Sequence, residues 1–476
     1  MYRLVLCLRY LMSRWLTLVA TGAVLLGVFM LLVVMAVMGG FVKEVRQACR
    51  GGLSDVVIES DVSGFPYYDD FIDRVRSHPN VAEATPVVQL FGIIRITAHR
   101  STGYAGTLTR PCQVLGVRPS EITGVSRFRE FLTRQKDVDH PTFQVRESVA
   151  DQLRLVDKRV YPGCILGIEL ASYHVPEGAQ KPDPDAPDTV LLCPEGEKVV
   201  ITTLPIGSTG ILGGGAFGAV NPTMRPYTVA DFYTSHLYQI DDKAAFIPFN
   251  EAQKLGELGD PSGANPADPP RAHQIRVALH DSRHAKATID DLQRVWETFK
   301  AGRPALEIVY LSFLTWEERR ADILGAVNME WAIMVIMLGL IVIVAGFLIG
   351  AVLAMIVKEK TRDIGILKSL GASSGGVARI FLAYAAVVSA AGAMLGYASA
   401  RIFVYYIDSI EAFVSNVMDI EVFSRKVYYF DRIPRHEDPW EAAVVVACTI
   451  LWAVLCATVA AWKAARLQPV EALRYE

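Results

Sequence analysis

Lys358-Glu-Lys-Thr-Arg-Asp-Ile-Gly-Ile-Leu-Lys-Ser-Leu-Gly-Ala-Ser373 is a charged, helix-forming segment held between two apolar runs, Trp331 to Val357 and Ile380 to Ala400, neither of which contains Asp, Glu, Lys or Arg. Each run is long enough to cross a hydrocarbon core of about 30 Å as a helix. A short helix tied at both ends to membrane spans is placed to carry force. Working outward, Trp15 to Phe41 and Ala442 to Trp462 are also free of charged residues. Four spans are therefore expected, each satisfying its own backbone hydrogen bonds in lipid.

The composition agrees. Of 476 residues, 52% are hydrophobic and only 20% charged, which suits a membrane protein with a large water-exposed part and argues against a wholly soluble one. A net charge of −3 argues against a nucleic-acid partner. With four spans both termini lie on one side. Arg3, Arg9 and Arg14, then Lys358, Lys360, Arg362 and Lys368, then Lys463, Arg466 and Arg474 all fall on that same side. The positive-inside bias makes it cytoplasmic. Lys43, Arg46, Arg319 and Arg320 lie on the other face, but a long translocated segment crosses largely regardless of charge. The first span is far longer than a signal-peptide core, and Ala36-Val37-Met38 is a poor cleavage site, so an uncleaved anchor is expected.

Between the first two spans the pattern is α+β. Asp55 to Glu59 and Val87 to Ala98 read as strands around a helix at Asp69 to Ser77. The far end repeats this, with strands at Gln274 to His280 and Ala305 to Leu311 around an amphipathic helix at Ser282 to Lys300. The two ends are expected to pair into one subdomain. A second, β-rich portion covers about 110–250, with strands at Pro111 to Val117, Lys198 to Thr203 and Ala244 to Pro248.

Two interruptions stand inside that portion. Pro176 to Pro187 reads as an exposed loop. Ile206 to Pro222 sets six glycines among Ile211, Leu212, Phe217 and Val220. It reads either as a long strand connection or as an arm that touches a partner or lipid. No Gly-x-x-x-x-Gly-Lys-Ser/Thr occurs, so no nucleotide site is expected on this chain. His280, Asp281 and His284 read as a solvated surface rather than a metal site. No Ser/His/Asp set or carboxylate pair has a recognisable spacing, so no catalytic group and no metal ligand is assigned. Of seven cysteines, Cys49, Cys112, Cys164 and Cys193 face the exterior. Cys164 and Cys193 are the first pair to test for a disulfide, although free buried thiols are the default.

In the central segment, Asp363 or Thr361 is placed to cap a helix and Gly371 to end it. Ile364, Leu367 and Leu370 recur at helical spacing, with Lys358, Arg362 and Lys368 around them. Such a stripe needs a partner or the bilayer interface to cover it; the bland reading is a solvated linker. Gly346-x-x-x-Gly350 and Gly392-x-x-x-Gly396 allow close helix approach. Tyr2 to Arg14 reads as a membrane-surface helix leading into the first span.

Several stretches together resemble the FtsX-like permease superfamily and, within it, the lipoprotein-releasing permeases of the LolC/LolE type. They are Leu8-Arg-Tyr-Leu11 with Ser13-Arg14, Gly27-Val28 and Val37-Met-Gly-Gly-Phe41 at the start. Val357-Lys-Glu-Lys360, Arg362-Asp-Ile364 and Ile366-Leu-Lys-Ser-Leu-Gly-Ala372 are similar to the family's signature between spans two and three, and Pro469-Val-Glu-Ala-Leu-Arg-Tyr-Glu476 to its ending. The exported region matches more loosely, through Gly163-Cys-Ile-Leu-Gly167 with Glu169-Leu-Ala171 and through Gly196-Glu-Lys-Val199. Ala460 and Gln468 depart from the family's proline and aspartate.

The resemblance implies a four-helix membrane protein, a type VII ABC transporter permease, with a large α+β extracytoplasmic domain. It implies a cytoplasmic membrane-surface helix at 1–14 and transmembrane helices at 15–41, 326–357, 376–400 and 441–462. An extracytoplasmic domain of two subdomains fills 42–325, a coupling segment 358–375, an extracytoplasmic connection 401–440 and a cytoplasmic tail 463–476. Such permeases sit in the bacterial inner membrane, pair with an identical or paralogous subunit, and pass the motion of a separate cytoplasmic ATPase to the periplasmic domain. ATP and Mg belong to that ATPase. Lys358, Glu359, Arg362, Asp363, Ile364, Leu367, Lys368 and Leu370 are the implied coupling residues. The implied cargo is a lipoprotein, and the arm at 206–222 stands where one partner carries a hook for a periplasmic carrier. The alternatives are an efflux or wall-hydrolase-regulating permease and, from another class, a membrane-anchored receptor without ATPase coupling.

Overall fold

The computed structural model describes residues 15–97, 106–156, 161–174, 189–204, 222–235, 237–262, 265, 268–418, 433–436 and 438–467. The expected surface helix before Trp15, the loop at 176–187, most of the glycine-rich arm and the ending at 469–476 lie outside them. In chain order the helices of seven residues or more are α1 (Trp15–Gly51), α2 (Tyr68–Arg76), α3 (Pro119–Val125), α4 (Glu147–Val156), α5 (Phe249–Gly256), α6 (Ala285–Lys300), α7 (Ala321–Glu359), α8 (Thr361–Ser369), α9 (Ser374–Tyr405), α10 (Ile407–Met418) and α11 (Pro439–Arg466). The strands are β1 (Val56–Glu59), β2 (Phe65–Pro66), β3 (Val81–Thr97), β4 (Thr107–Val117), β5 (Gly163–Gly167), β6 (Ser172–His174), β7 (Thr189–Leu191), β8 (Lys198–Thr203), β9 (Thr223–Tyr233), β10 (Ala244–Pro248), β11 (Arg271–Ala272), β12 (Gln274–Leu279) and β13 (Ser312–Thr315). They fall into two units, one built on the long apolar helices and one on residues 45–321.

Among the described residues four helices are long and apolar enough to cross a membrane: α1, α7, α9 and α11. The shortest, α11, has 28 residues and so a length of about 42 Å at ~1.5 Å per residue. Helix α1 does not stop at Phe41 where the apolar run stops. It continues to Gly51 through Lys43, Glu44, Gln47 and Arg50, which are good helix formers. Alanine and valine make up most of the interior of this unit. Ala20, Val24 and Val28 of α1 meet Ala345, Ile349 and Leu353 of α7, Ala385, Val388 and Ala393 of α9, and Ala453, Ala457 and Ala460 of α11. The hydroxyls of Thr17 and Tyr384 share a buried hydrogen bond of 2.7 Å between α1 and α9.

The second unit is organised by one strand, β3. Its first half, Val81 to Val87, pairs antiparallel with β12, and the sheet continues through β1 to β13. Helix α2 joins β1 to β3 and α6 joins β12 to β13, which gives a ferredoxin-like split pair of βαβ units. Its core is aromatic: Phe71 lies 5.0 Å from Trp296 and 5.3 Å from Phe299, ring to ring. The second half of β3 pairs with β4 on one edge and with β8 on the other. Since the order runs β3-β4-β10-β5-β9-β8, this last pairing closes a six-stranded ring. Gly92 allows the closure, because a Cβ there would lie 2.5 Å from the Thr202 carbonyl oxygen. Two-stranded pairs β2 with β11 and β6 with β7 complete the unit.

One expected strand is corrected. Residues 305–311 alternate in pattern, but a 3-10 turn at Pro304–Leu306 starts the segment and the strand is β13, Ser312–Thr315. Ile308 and Tyr310 point outward, 84% and 81% exposed, with no strand partner, because β1 offers its edge to Ser312–Thr315 instead.

Candidate functional site: the turn between the second and third membrane helices

The turn is fixed at both ends by its own chemistry. The α7 ladder runs on through the Lys360 N–H to the Ile356 carbonyl, 3.0 Å, and the Ile364 N–H to the Lys360 carbonyl, 2.9 Å. Neither Thr361 nor Asp363 caps α8, contrary to expectation: the capping position is Lys360, without a side-chain cap. The Thr361 hydroxyl turns back onto the carbonyls of Val357 and Lys358, at 3.1 and 2.7 Å, and the Asp363 carboxylate accepts from Lys360 Nζ at 2.8 Å. At the other end the Ala372 N–H reaches the Leu367 carbonyl and the Gly371 N–H the Lys368 carbonyl, both 3.0 Å. Gly371 has φ +95°. That is a Schellman ending, and its left-handed residue is glycine because a Cβ would strain it. Ser373 then caps α9 by accepting from the Gly376 N–H at 3.1 Å.

The faces of α8 differ from the expected stripe. Ile364 is 2% exposed and packs with Val357, Val377 and Ala464, backed by Phe381 and Leu467. Leu367 is half-buried, while Lys358, Glu359, Arg362, Asp363 and Leu370 are exposed. Lys368 does not rim the outer patch: its Nζ donates to the carbonyls of Ala465 and Leu467, each at 2.7 Å. Ile366, which the pattern reading passed over, is 43% exposed and Leu370 is 79% exposed. Arg362, Ile366 and Leu370 form an i, i+4, i+8 row, which is the spacing that would have found it. The outward surface of the turn is therefore an apolar pair flanked by charge.

The glycine pairs lie where membrane helices touch. A Cβ at Gly350 would stand 3.0 Å from the Cys456 carbonyl oxygen of α11, and Gly346 faces Trp452, whose Nε1 donates to the Ile343 carbonyl at 3.1 Å. Gly392 and Gly396 face α1, with Cβ positions 2.8 Å from the Thr21 and 2.7 Å from the Leu25 carbonyl oxygens. Both spacings are occupied by helices of the same chain.

In the second unit the glycine-rich arm leaves and re-enters side by side, since Thr203 at the end of β8 pairs with Thr223 at the start of β9. The arm residues Ile211, Leu212, Phe217 and Val220 lie outside the described residues. Around its base Phe91, Ile93, Leu204 and Met224 are exposed. Beside them, where β3 leaves β12 for β8, a cleft of about 460 Å³ opens between Glu59, Asp61, Gln89, Phe91, His273 and Arg319. His273 fills the fork: its Nε2–H donates to the Val62 carbonyl at 3.0 Å, and Nδ1 accepts the Gln89 N–H at 3.3 Å. Burial pulls its pKa down, so the ring is neutral. Cys112, Cys164 and Cys193 are buried free thiols, and burial raises all three, Cys112 and Cys193 to about 12. Asp281 is spent on the turn, accepting from the Arg283 N–H at 2.9 Å and facing His284 Nδ1 at 3.1 Å. No group of metal-ligating side chains occurs among the described residues.

Residues 335–469 match the family described as FtsX-like permease C-terminal. The chain is 23% identical over 451 residues to the lipoprotein-releasing system transmembrane protein LolC of Xylella fastidiosa, covering 95% of this chain and 92% of that one. It is 26% identical over 483 residues to LolC of Neisseria meningitidis serogroup B, covering 98% of each. The periplasmic region of MacB from Actinobacillus actinomycetemcomitans aligns with 59% of this chain and 97% of its own at 11% identity, with a TM-score of 0.26, too low to add to the topology described above. The family match begins inside α7 and ends just past α11, so the turn at 358–373 lies within the part of the chain that matches the FtsX-like permeases.

Proposed function

We propose that this chain is the membrane subunit of an ABC transporter that releases lipoproteins from the bacterial inner membrane, by passing the ATP-driven motion of a separate ATPase to its periplasmic domain. The observation that carries the reading is the two-sided turn at α8. One face is buried among membrane helices, and the other presents Arg362, Ile366 and Leu370 outward. An exposed apolar pair on a short charged helix calls for a protein surface to cover it. The charge bias of Lys358, Lys360, Arg362, Lys463 and Arg466 supports a cytoplasmic position for the turn and for both termini. Residues 42–325 then stand in the periplasm, as does the connection at 401–440. The relatives' names supply the cargo class. On this reading the chain hydrolyses nothing; ATP and Mg are held by the ATPase, and a second permease, identical or paralogous, completes the membrane part. The arm at 206–222, springing from β8 and β9, is the part that meets a soluble lipoprotein carrier.

The test is co-purification of the co-expressed ATPase. Ile366→Asp with Leu370→Asp should weaken its binding at least about 30-fold, the effect of losing a binding hot spot. Membrane insertion and the melting temperature should stay unchanged. Undiminished binding would remove the assigned docking face.

A further inference from the structure

We propose that Lys368 is a positioning residue that ties the fourth membrane helix to the coupling turn, so that a push on α8 moves α11 together with α7 and α9. The inference rests on the reading of α8 as the ATPase-facing element. Helix α8 is joined to α7 through Lys360 and to α9 through the Gly371 turn, so those two helices must follow it. Helix α11 has no such link, since Lys368 and Ala465 are 97 residues apart. The Lys368 ammonium spans that gap with two hydrogen bonds of 2.7 Å, to the carbonyls of Ala465 and Leu467.

The chemistry of both partners fits. Helix α11 ends at Arg466, and its last carbonyls have no N–H donors within the helix and form the negative end of its dipole. An ammonium on a flexible stem brings three donors and a full positive charge to that end. Beside the bonds, Ile364 of α8 and Ala464 of α11 share one apolar cluster with Val357 of α7 and Val377 of α9. Moving α8 alone would break two charge-assisted bonds and open that cluster to water. Higher up, Gly346 and Gly350 hold α11 against α7, so α11 is attached at two levels. Lys368 therefore acts inside the transmitting block and not on the docking face.

The experiment uses the assembled complex with its ATPase in lipid nanodiscs. Spin labels at Ser369→Cys and Lys463→Cys report the separation of α8 from the end of α11, with and without a non-hydrolysable ATP analogue. In the parent the distance should not change with nucleotide. In Lys368→Met it should change, release of a triacylated reporter lipoprotein per ATP hydrolysed should fall at least tenfold, and the ATPase should still co-purify. Lys368→Arg, which again offers donors to both carbonyls, should restore both readouts. If the Lys368→Met chain itself fails to insert into the membrane, Lys368→Gln, which removes the charge and shortens the reach to the two carbonyls, takes its place with the same readouts. A nucleotide-independent distance in the variant, with release at the parent's yield, would overturn the proposal. So would loss of ATPase binding on Lys368→Met, which would make Lys368 a docking cation and leave the coupling reading intact. Failure of the coupling reading itself shows separately, as ATPase binding that ignores Ile366→Asp with Leu370→Asp.

Discussion

The two units of this chain fill their interiors in opposite ways. Between the first and second membrane helices, large side chains go inside: Phe65, Phe71, Trp296 and Phe299 form one core, and Phe128, Tyr233 and Phe246 another. In the helix bundle the inside is mostly alanine and valine, with Ile349, Leu353, Ile356 and Tyr384 among them, while Ile336, Leu340, Phe347, Leu451 and Trp462 face out. The difference follows from the solvent. Water drives large apolar surfaces together, whereas lipid gives them no reason to leave, so bundle helices associate through close backbone approach and van der Waals fit. The same residue type therefore has a different worth on each side of Glu44.

The largest expected effect puts this contrast to the test with two aromatic residues. Trp296 is 3% exposed and sits edge-on to Phe71; Phe347 is 60% exposed and touches Trp452 edge-on. Trp296→Ala should cost about 3–5 kcal/mol. Phe347→Ala should cost no more than about 1.5 kcal/mol, the worth of one edge-to-face pair. Urea titration of the purified full chain in detergent, followed by proteolysis of each unit, measures both. Equal losses would mean that the bundle relies on large side chains after all.

A reversed series comes next in size. In the bundle, adding atoms should hurt where removing them does not. Gly392→Val and Gly396→Val place new carbons against the carbonyls of Thr21 and Leu25 and should cost about 1–3 kcal/mol each. Gly339→Ala meets nothing within 4 Å and should be neutral or stabilising by up to about 1 kcal/mol, the helix-propensity gain. Thermal unfolding in detergent separates the two. If Gly339→Ala destabilised as much as Gly396→Val, close packing at the second pair could not be the cause.

How far these arrangements could be read beforehand also differs between the units. The four membrane helices were legible because an uncharged run is a one-dimensional signal. The strands Lys198–Thr203 and Ala244–Pro248 and the helix Tyr68–Arg76 were legible from local period. What the period could not supply was pairing: β3 leaves one sheet and closes a ring with β8, a relation between residues over a hundred positions apart. Nor could it show that 305–311 lacks a strand partner. At the turn, helical spacing named Ile364, Leu367 and Leu370 as one stripe. The bundle behind α8 splits them, because the end of α11 takes Ile364 and Lys368 inward and leaves Ile366 out. Charge alone does not tell a docking lysine from a capping one.

The smallest expected effect concerns polar groups in the two interiors. In the bundle, buried hydroxyls answer helix carbonyls, as Ser389 Oγ does to Ala385 at 2.8 Å and Thr449 Oγ1 to Val445 at 2.7 Å. Such groups do not titrate. At the fork of the sheets the corresponding place is held by His273, whose pKa burial depresses below the ordinary histidine value of about 6.5. A base with a lowered pKa binds its proton more readily in the unfolded chain, so stability rises with pH across the window between the two pKa values. The contribution is complete above about 6.5, the unfolded value, and is lost as pH falls toward the folded one. Acidification should therefore loosen the residue 45–321 unit first, with protease cutting near Val62 and Gln89 while the membrane helices stay protected. His273→Gln keeps a donor for the Val62 carbonyl and an acceptor for the Gln89 N–H but does not titrate, and should flatten that pH dependence. An unchanged slope in the variant would assign the acid sensitivity to another group and leave the fork held by geometry alone.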